Sequence, residues 1–377
     1  MAFDTADELH LASLDLVHFR NYDSFRLDEL GYLTILVGPN AVGKTTVVEA
    51  IQLVTALESF RTSKASRLVK WGETRAHVGA RLIGEARDLS VELDIKGSSR
   101  SYKLNGKTKR VADLAGLLPA VTFTPDDLHL VKGAAAARRD ALDALGAQIS
   151  KNFAAVRSDY AKLVKQKNRA LKAEESDTYL SSIDDVLVRV GVQVLSHRMT
   201  IVERVQPYFQ RFYKEISGGD ERVALNYVPC WLRGDDDELA RYAFDRDEAL
   251  SSLESYGRAM RPVERARRRT VAGPHADDVL FLLDGRNAVH FASQGQQRCI
   301  VLAYKLAEAA AIEDAMGRKP LLLLDDVMSE LDERRRAYFM EFVADDIQTF
   351  ITTTNAAYFT DAMKRRARIV RLGEGPA

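Results

Sequence analysis

The chain has 377 residues, 46% apolar and 29% charged, the composition of a globular protein with room for two or three domains. Its 54 basic residues balance 54 acidic ones, so no global field marks a nucleic-acid partner and any such contact must use local patches. Two cysteines without CxxC spacing argue against a disulfide scaffold or zinc site. A polar, acidic start and no uncharged apolar run near the roughly 18–20 residues of a membrane span lead us to expect a cytoplasmic protein with no membrane partner.

Along the chain, "LASLDLVHF" (11–19) and "YLTILVG" (32–38) read as strands. The second runs into "ILVGPNAVGKTT", which fits G-x-x-x-x-G-K-[ST], and then into a helical pattern with Val47, Ile51 and Val54 on one face. "SYKLNGKTK" carries an Asn105-Gly106 hairpin turn. Residues 134–217 change to heptad-like seams: Phe153, Val156, Tyr160 and Leu163, then Leu180, Ile183, Leu187, Val190 and Val194. Polar "KAEESD" between them marks the reversal of an antiparallel helix pair, and Gly191 and Pro207 interrupt the second pattern.

"RVALNYV" (222–228) reads as a strand, followed by helix to about residue 260. From "DDVLFLLDGRNAVHF" on the pattern is strand-rich, with a turn near Asp284-Gly285. The chain then alternates helix 296–315, strand 320–325, helix 330–344, strand 348–353 and strand 368–372. The expected fold is an α/β domain split by a mostly helical insertion, with parts at 1–133, 134–270 and 271–377.

The glycine loop carries the clearest chemistry. Gly38 and Gly43 let the backbone curl so that N–H groups of Pro39-Asn40-Ala41-Val42 and their neighbours turn inward on phosphate oxygens; proline itself contributes none. The following helix start, at Thr45 and Thr46, adds its dipole. Lys44 brings a point charge for the β- and γ-phosphates, and the Thr45 hydroxyl is a magnesium ligand. "KPLLLLDDVMSELD" supplies a doubly buried strand ending in a carboxylate. Asp325 is read as the second magnesium ligand and Asp326 as the general base. ATP and Mg²⁺ are the expected cofactors. The two halves lie about 280 residues apart, which a compact domain allows only if it is split.

"SQGQQ" (293–297) has more than one reading. Ser293 suits a helix cap, but Gly295 and three glutamines do not follow from capping. In ABC-type ATPases a Ser-x-Gly-Gln string heads a helix that faces the nucleotide held by a second subunit. Here it lies before the Asp325 strand, as that family requires, and Ser329-Glu330-Leu331-Asp332 resembles the loop that crosses such a dimer interface.

With these motifs in order, the whole chain resembles the RecF family, recombination mediators of the SMC-like branch of ABC ATPases. "FRNY" (19–22), "ESFRTS" (58–63), "TPDDLHLVKG" followed by "ARRDALD", "AGPHADDVLF" and the Asp-Asp pair carry the resemblance. Three places depart from the family pattern. Ala135 and Ala141 replace a proline and an aromatic around the paired arginines Arg138-Arg139, and Ala276 replaces a basic residue. No switch histidine follows the next strand, where "TFITTTNAAY" offers Thr352–Thr354 and Asn355.

The resemblance implies a slow ATPase acting as a timer, with Arg20 approaching the nucleotide. It implies an ATP-dependent homodimer in which Ser293, Gly295 and Gln296 of one copy close over the other's γ-phosphate. It also implies a DNA clamp at single-strand gaps and ssDNA–dsDNA junctions, working with RecR and RecO to load RecA in repair and the SOS response. "RAMRPVERARRR" (258–269), with Arg265, Arg267, Arg268 and Arg269, is the densest basic run and the candidate phosphate contact, with "KRRARIVR" (364–371) next. Other SMC-like repair ATPase heads and a transporter-type nucleotide-binding subunit are the alternative readings. The former usually carry long coiled-coil arms, and the latter a switch histidine.

Overall fold

The computed structural model describes residues 8–232, 242–343 and 347–373. The chain divides into two compact units: residues up to Asp127 together with those from Ile312 on, and Leu128–Ala311. The 271–377 part expected from the sequence is thus divided, since residues up to 311 group with the helices. Local patterning identifies a strand such as Asp278–Leu283, but not the sheet that it joins.

The first unit holds two sheets. The antiparallel one runs in the order Tyr22–Leu27, His10–Phe19, Arg75–Ile83, Asp88–Lys96, Ser99–Leu104, Lys107–Lys109. Leu14, Leu16 and Phe19 of its second strand are buried. Asn105 and Gly106 take φ of 50° and 73°, the left-handed pair that a two-residue hairpin turn needs.

The other sheet has five parallel strands, in the order Arg368–Arg371, Leu33–Val37, Thr349–Thr353, Leu321–Asp325, Ala120–Phe123. Strands from the two ends of the chain interleave, which is the split α/β architecture. The helix Lys44–Thr55 packs against strands of both sheets, so burial extends well beyond the face marked by Val47, Ile51 and Val54. Gln348 joins the sheets: its amide accepts from Leu11 N–H at 2.7 Å and donates to the Leu11 carbonyl at 2.8 Å, beside the irregularity between Leu11 and Ser13.

In the second unit the helices Ala135–Ile149, Lys151–Lys172, Asp177–Ser217 and Arg246–Arg267 accompany an antiparallel sheet of Val223–Val228, Asp278–Leu283 and Arg286–Asn287. The reversal falls at 173–176, where Ser176 accepts from Tyr179 N–H as N-cap. Phe153, Tyr160, Leu180, Ile183, Leu187 and Val194 are buried, and Val156, Leu163 and Val190 half-buried.

Three expectations change. The helix Asp177–Ser217 runs unbroken through Gly191 and Pro207. Gly191 serves packing: a Cβ there would stand 3.2–3.4 Å from Pro274, Leu253 and Tyr160. The next helix reaches Arg267, beyond the expected end near 260. Ala288–Phe291 is a helical turn and not strand, because the Asn287 side chain accepts from Val289 N–H and caps it. Among the described residues no helix is long and apolar enough to cross a membrane.

A buried polar network holds the second unit. Arg198 binds both Asp143 oxygens, at 2.7 and 2.9 Å, and donates to the Tyr227 hydroxyl and the Pro274 carbonyl. Tyr227 in turn donates to wholly buried Asp277 at 2.6 Å, which also accepts from Cys230 N–H. Arg138 of the paired-arginine string forks onto Asp278, and Arg139 donates to the Asp277 carbonyl at 2.5 Å. Two distant strings, "ARRDALD" and "GPHADD", are therefore one structural joint. Ala276 ends the short turn Pro274–Ala276 within it.

Half-buried His275 lies 2.7 Å from the Tyr160 hydroxyl through Nδ1 and 3.2 Å from the Thr270 carbonyl through Nε2. A carbonyl only accepts, so Nε2 carries the proton and Nδ1 accepts from Tyr160. Burial lowers its pKa to about 4, keeping the ring neutral.

Two outcomes follow. Arg198→Met leaves Asp143 buried and short of its main partner, and should lower the unfolding free energy by about 3–5 kcal/mol in urea titrations. His275 binds its proton near pH 6.5 when unfolded but only near 4 when folded. Its contribution is therefore present above pH 6.5 and lost as pH falls toward 4, by at most about 3 kcal/mol. His275→Gln should show a smaller stability difference between pH 7 and pH 4.5 than the wild type; an equal difference would assign the acid sensitivity elsewhere.

Candidate functional site

The loop after strand Leu33–Val37 and the end of strand Leu321–Asp325 meet at the carboxyl edge of the parallel sheet, with Thr349–Thr353 between them. The sequence builds the loop through special backbone. Ala41 and Gly43 have φ of 65° and 113°, and Gly43 is the N-cap of helix Lys44–Thr55. A Cβ at Gly43 would sit 2.5 Å from the Tyr22 hydroxyl and 2.8 Å from Asn21 Nδ2, so both backbone angle and space demand glycine. Gly38 has a different reason: a Cβ there would press on the Leu372 carbonyl at 2.6 Å, and Val42 lies beside it.

A cavity of about 690 Å³ opens over this loop. Lys44, Thr45 and Thr46 line it, as do Asn40, Ala41, Gly43, Arg20 and Asp326. These eight of the expected residues line one cavity, while Gly38, Pro39, Val42 and Asp325 are not part of its lining. Lys44 Nζ donates to the carbonyls of Gly38 at 2.6 Å and Pro39 at 2.9 Å, and burial lowers its pKa against the pull of Asp326 and Asp325. Thr46 Oγ1 donates to Asn21 at 2.9 Å, tying the "FRNY" turn to the helix.

Asp325 is a buried acid of the site. Its Oδ1 accepts from Thr45 Oγ1 at 2.9 Å and Thr352 Oγ1 at 2.8 Å. Burial raises its pKa, while those two hydroxyls pull it down. Asp326 holds φ of 54°, strained for a non-glycine residue, and its N–H donates to the same Thr352 hydroxyl at 2.9 Å. Thr352 thus fixes both acids from the strand between the half-sites. In the sequence Thr352 belongs to the "TTT" run, which carries no local mark of this role.

Arg20 is placed differently from a free phosphate contact. It lines the cavity at φ 55°, but its guanidinium forks onto Glu49 at 2.6 and 2.8 Å. Glu49 is 0% exposed and also accepts from Ser59 at 2.5 Å and Arg61 at 3.4 Å. The "ESFRTS" string therefore completes an acid–arginine cluster behind the cavity, which sequence reading did not find because Glu49 looks like an ordinary helix-surface residue.

In the second unit Ser293 heads the helix Gln294–Met316. Gln296 N–H donates to Ser293 Oγ at 3.3 Å and Ser293 N–H to Gln296 Oε1 at 2.7 Å, a reciprocal cap. Gln296 Nε2 continues to Glu221 at 2.6 Å, whose other oxygen accepts from Tyr213 at 2.7 Å, and Gln297 donates to the Ala292 carbonyl. Two glutamines thus have local duties, while Ser293 and Gln294 remain exposed. The Ser329 hydroxyl donates to the Asp326 carbonyl, and Asp332 caps helix Glu333–Phe342.

The basic run is largely neutralised. Arg265 pairs with Asp177 at 2.6 Å, Arg268 with Glu174 at 2.7 Å and Arg258 with Glu254 at 3.1 Å, while Arg261 pairs with Asp184. Arg267 and Arg269 are exposed and make no ion pair among the described residues. The partners lie some ninety positions upstream for Arg265 and Arg268, beyond reach of a local charge count.

The family model described as RecF/RecN/SMC N terminal domain matches residues 10–374. Curated relatives include the DNA replication and repair protein RecF of Synechocystis sp., 38% identical with 97% of each chain covered. That of Bacillus subtilis is 33% identical, with 97% of this chain and 99% of the relative covered. A solved structure of the recombination mediator protein RecF with ATP in the RecFOR pathway matches at TM-score 0.84 and 28% identity, over 94% of both chains. An Smc head domain from Pyrococcus furiosus, at TM-score 0.52 and 16% identity over 96% of this chain and 93% of its own, shares the fold.

Thr352→Val keeps the shape but strands the Asp326 N–H and removes one donor from Asp325. Its unfolding free energy should fall by about 1–3 kcal/mol, with Thr352→Ser restoring most of it in the same titration.

Proposed function

The chain belongs to the RecF family of SMC-like ATPases, and from that premise we propose that it is an ATP-switched clamp on DNA, serving replication and repair. The carrying observation is the meeting of Lys44, Thr45 and Asp326 in one cavity, with Asp325 hydrogen-bonded to Thr45 at its edge.

In this reading the loop N–H groups and Lys44 hold the β- and γ-phosphates of ATP. The donor set fits magnesium, which prefers one or two oxygen ligands from protein plus substrate phosphates: Thr45 and Asp325 stand 2.9 Å apart, and Asp325 is a desolvated acid that a cation would favour in its charged form. When bound, the ion neutralises charge on the phosphates. Asp326, held by Thr352, orients and polarises the attacking water. A short carboxylate and no histidine after Thr349–Thr353 favour slow turnover, suited to a timer.

Ser293 and Gly295 at the exposed head of their helix supply a second phosphate clamp to another copy of the chain, with Gln296 holding that head in shape. ATP then drives closure because it binds the dimer better than the monomer. DNA is gripped through phosphates at ssDNA–dsDNA junctions, with Arg267 and Arg269 the better contacts and Arg265 and Arg268 committed to ion pairs. The solved RecF structure is that of a recombination mediator in the RecFOR pathway, which supports RecR and RecO as partners; loading of RecA and the SOS response are the steps that this reading places after them.

Light scattering with and without ATP and junction DNA tests this. Wild type should dimerise with ATP, Lys44→Ala should neither bind nor dimerise, and Ser293→Arg should bind ATP yet remain monomeric. Normal dimers of Ser293→Arg would sink the clamp in trans.

A further inference from the structure

A polar chain runs from the buried interior of the second unit to the exposed serine of the "SQGQQ" string, and Glu221 stands in its middle. Tyr213 donates its hydroxyl to one Glu221 oxygen at 2.7 Å, and Gln296 Nε2 donates to the other at 2.6 Å. Gln296 Oε1 then accepts from Ser293 N–H at 2.7 Å, while Ser293 Oγ accepts from Gln296 N–H at 3.3 Å.

The direction of every bond in this chain follows from Glu221. Gln296 by itself does not choose an orientation, because its amide carries donors at one end and an acceptor at the other. A carboxylate only accepts, so the amide turns its NH₂ to Glu221 and leaves its oxygen for Ser293 N–H. The flipped amide would set acceptor against acceptor at Glu221 and donor against donor at Ser293. Tyr213 is wholly buried, and burial together with Glu221 raises its pKa, so its hydroxyl keeps the proton that it donates. The loop that carries Glu221 is fixed on both sides. Gly218, at φ 65°, ends helix Asp177–Ser217 with its N–H on the Lys214 carbonyl at 3.0 Å. Arg222 N–H donates to the Asp284 carboxylate at 2.8 Å, and Asp284 N–H donates back to the Arg222 carbonyl at 2.8 Å.

We propose that Glu221 is the positioning residue of the "SQGQQ" head. It sets the amide of Gln296, and through it the backbone and hydroxyl of Ser293, in the form that closes over the phosphate held by a second copy. The inference rests on the reading of Ser293 and Gly295 as a clamp in trans. Ordering the head before the partner arrives removes part of the cost of closure.

Light scattering with ATP reads self-association, and calorimetry at dilutions where the chain is monomeric reads ATP binding by one copy. Glu221→Ala should bind ATP as the wild type does but dimerise about tenfold to a hundredfold less tightly, the range for losing a hydrogen bond to a charged group. Hydrogen exchange across residues 288–297 should be faster in this variant. Glu221→Gln should recover most of both effects, since its oxygen still accepts from Gln296 and the Tyr213 hydroxyl can turn to accept from its NH₂. Unchanged dimerisation or unchanged exchange in Glu221→Ala overturns the inference. So does an equal loss in both variants, or a loss of ATP binding by the monomer, which would make Glu221 a residue of the fold alone. If Ser293→Arg dimerises normally, the clamp in trans and the inference fall together; a monomeric Ser293→Arg beside a normally dimerising Glu221→Ala removes the inference alone.

Discussion

Everything in the first unit converges on one desolvated carboxylate. Asp325 accepts hydroxyls from Thr45, which opens the helix after the glycine loop, and from Thr352, at the end of the neighbouring strand. Those three residues come from three segments far apart in the chain, and they meet only if the parallel strands hold the observed order. The site is thus a consequence of register. A slip of one residue in Leu321–Asp325 would turn Asp325 to the opposite face of the sheet and bring Leu324 or Asp326 into its place.

The second unit solves a different problem. Its helices bury several charges, and each is matched: Arg198 by Asp143, Arg138 by Asp278, Lys167 by Asp184 and Glu264. Such pairs gain little over apolar packing, but losing one partner is costly, so they favour one arrangement over near alternatives. The strings around residues 138 and 277 look like functional signatures in sequence. In the fold they form the joint that fixes strand Asp278–Leu283 upstream of Ser293 in the same unit. The replacements Ala135 and Ala141 leave Arg138 and Arg139 fully engaged.

How much of this could be read beforehand depended on the range of the signal. The glycine loop, the "LLLLDD" strand and the Asn105-Gly106 turn are local patterns whose physics is complete within a few residues, and each appears where expected. The roles of Thr352, Glu49 and Gln348 depend on partners outside their own strand or helix and carry no local mark. Pro207 and Gly191 read as interruptions because propensity counts against them. Packing on Phe209 and Val205 on one side, and the close approach of Pro274 on the other, sustains the helix regardless. The arginine run misled in the opposite sense: its density is local, and its neutralisation is not.

The interleaved sheet has a consequence for synthesis on the ribosome. Strand Leu33–Val37 pairs with Thr349–Thr353 on one side and Arg368–Arg371 on the other, so both its neighbours are made last. About 300 residues must be added after Val37 before Thr349 is available, which takes roughly 15–60 s at ordinary elongation rates. During that interval the antiparallel sheet, made entirely from residues 10–109, already has all its strands. The continuous second unit can also complete itself before the last strands emerge. The glycine loop's own strand must wait with both edges open, a nascent-chain vulnerability that the finished protein no longer displays.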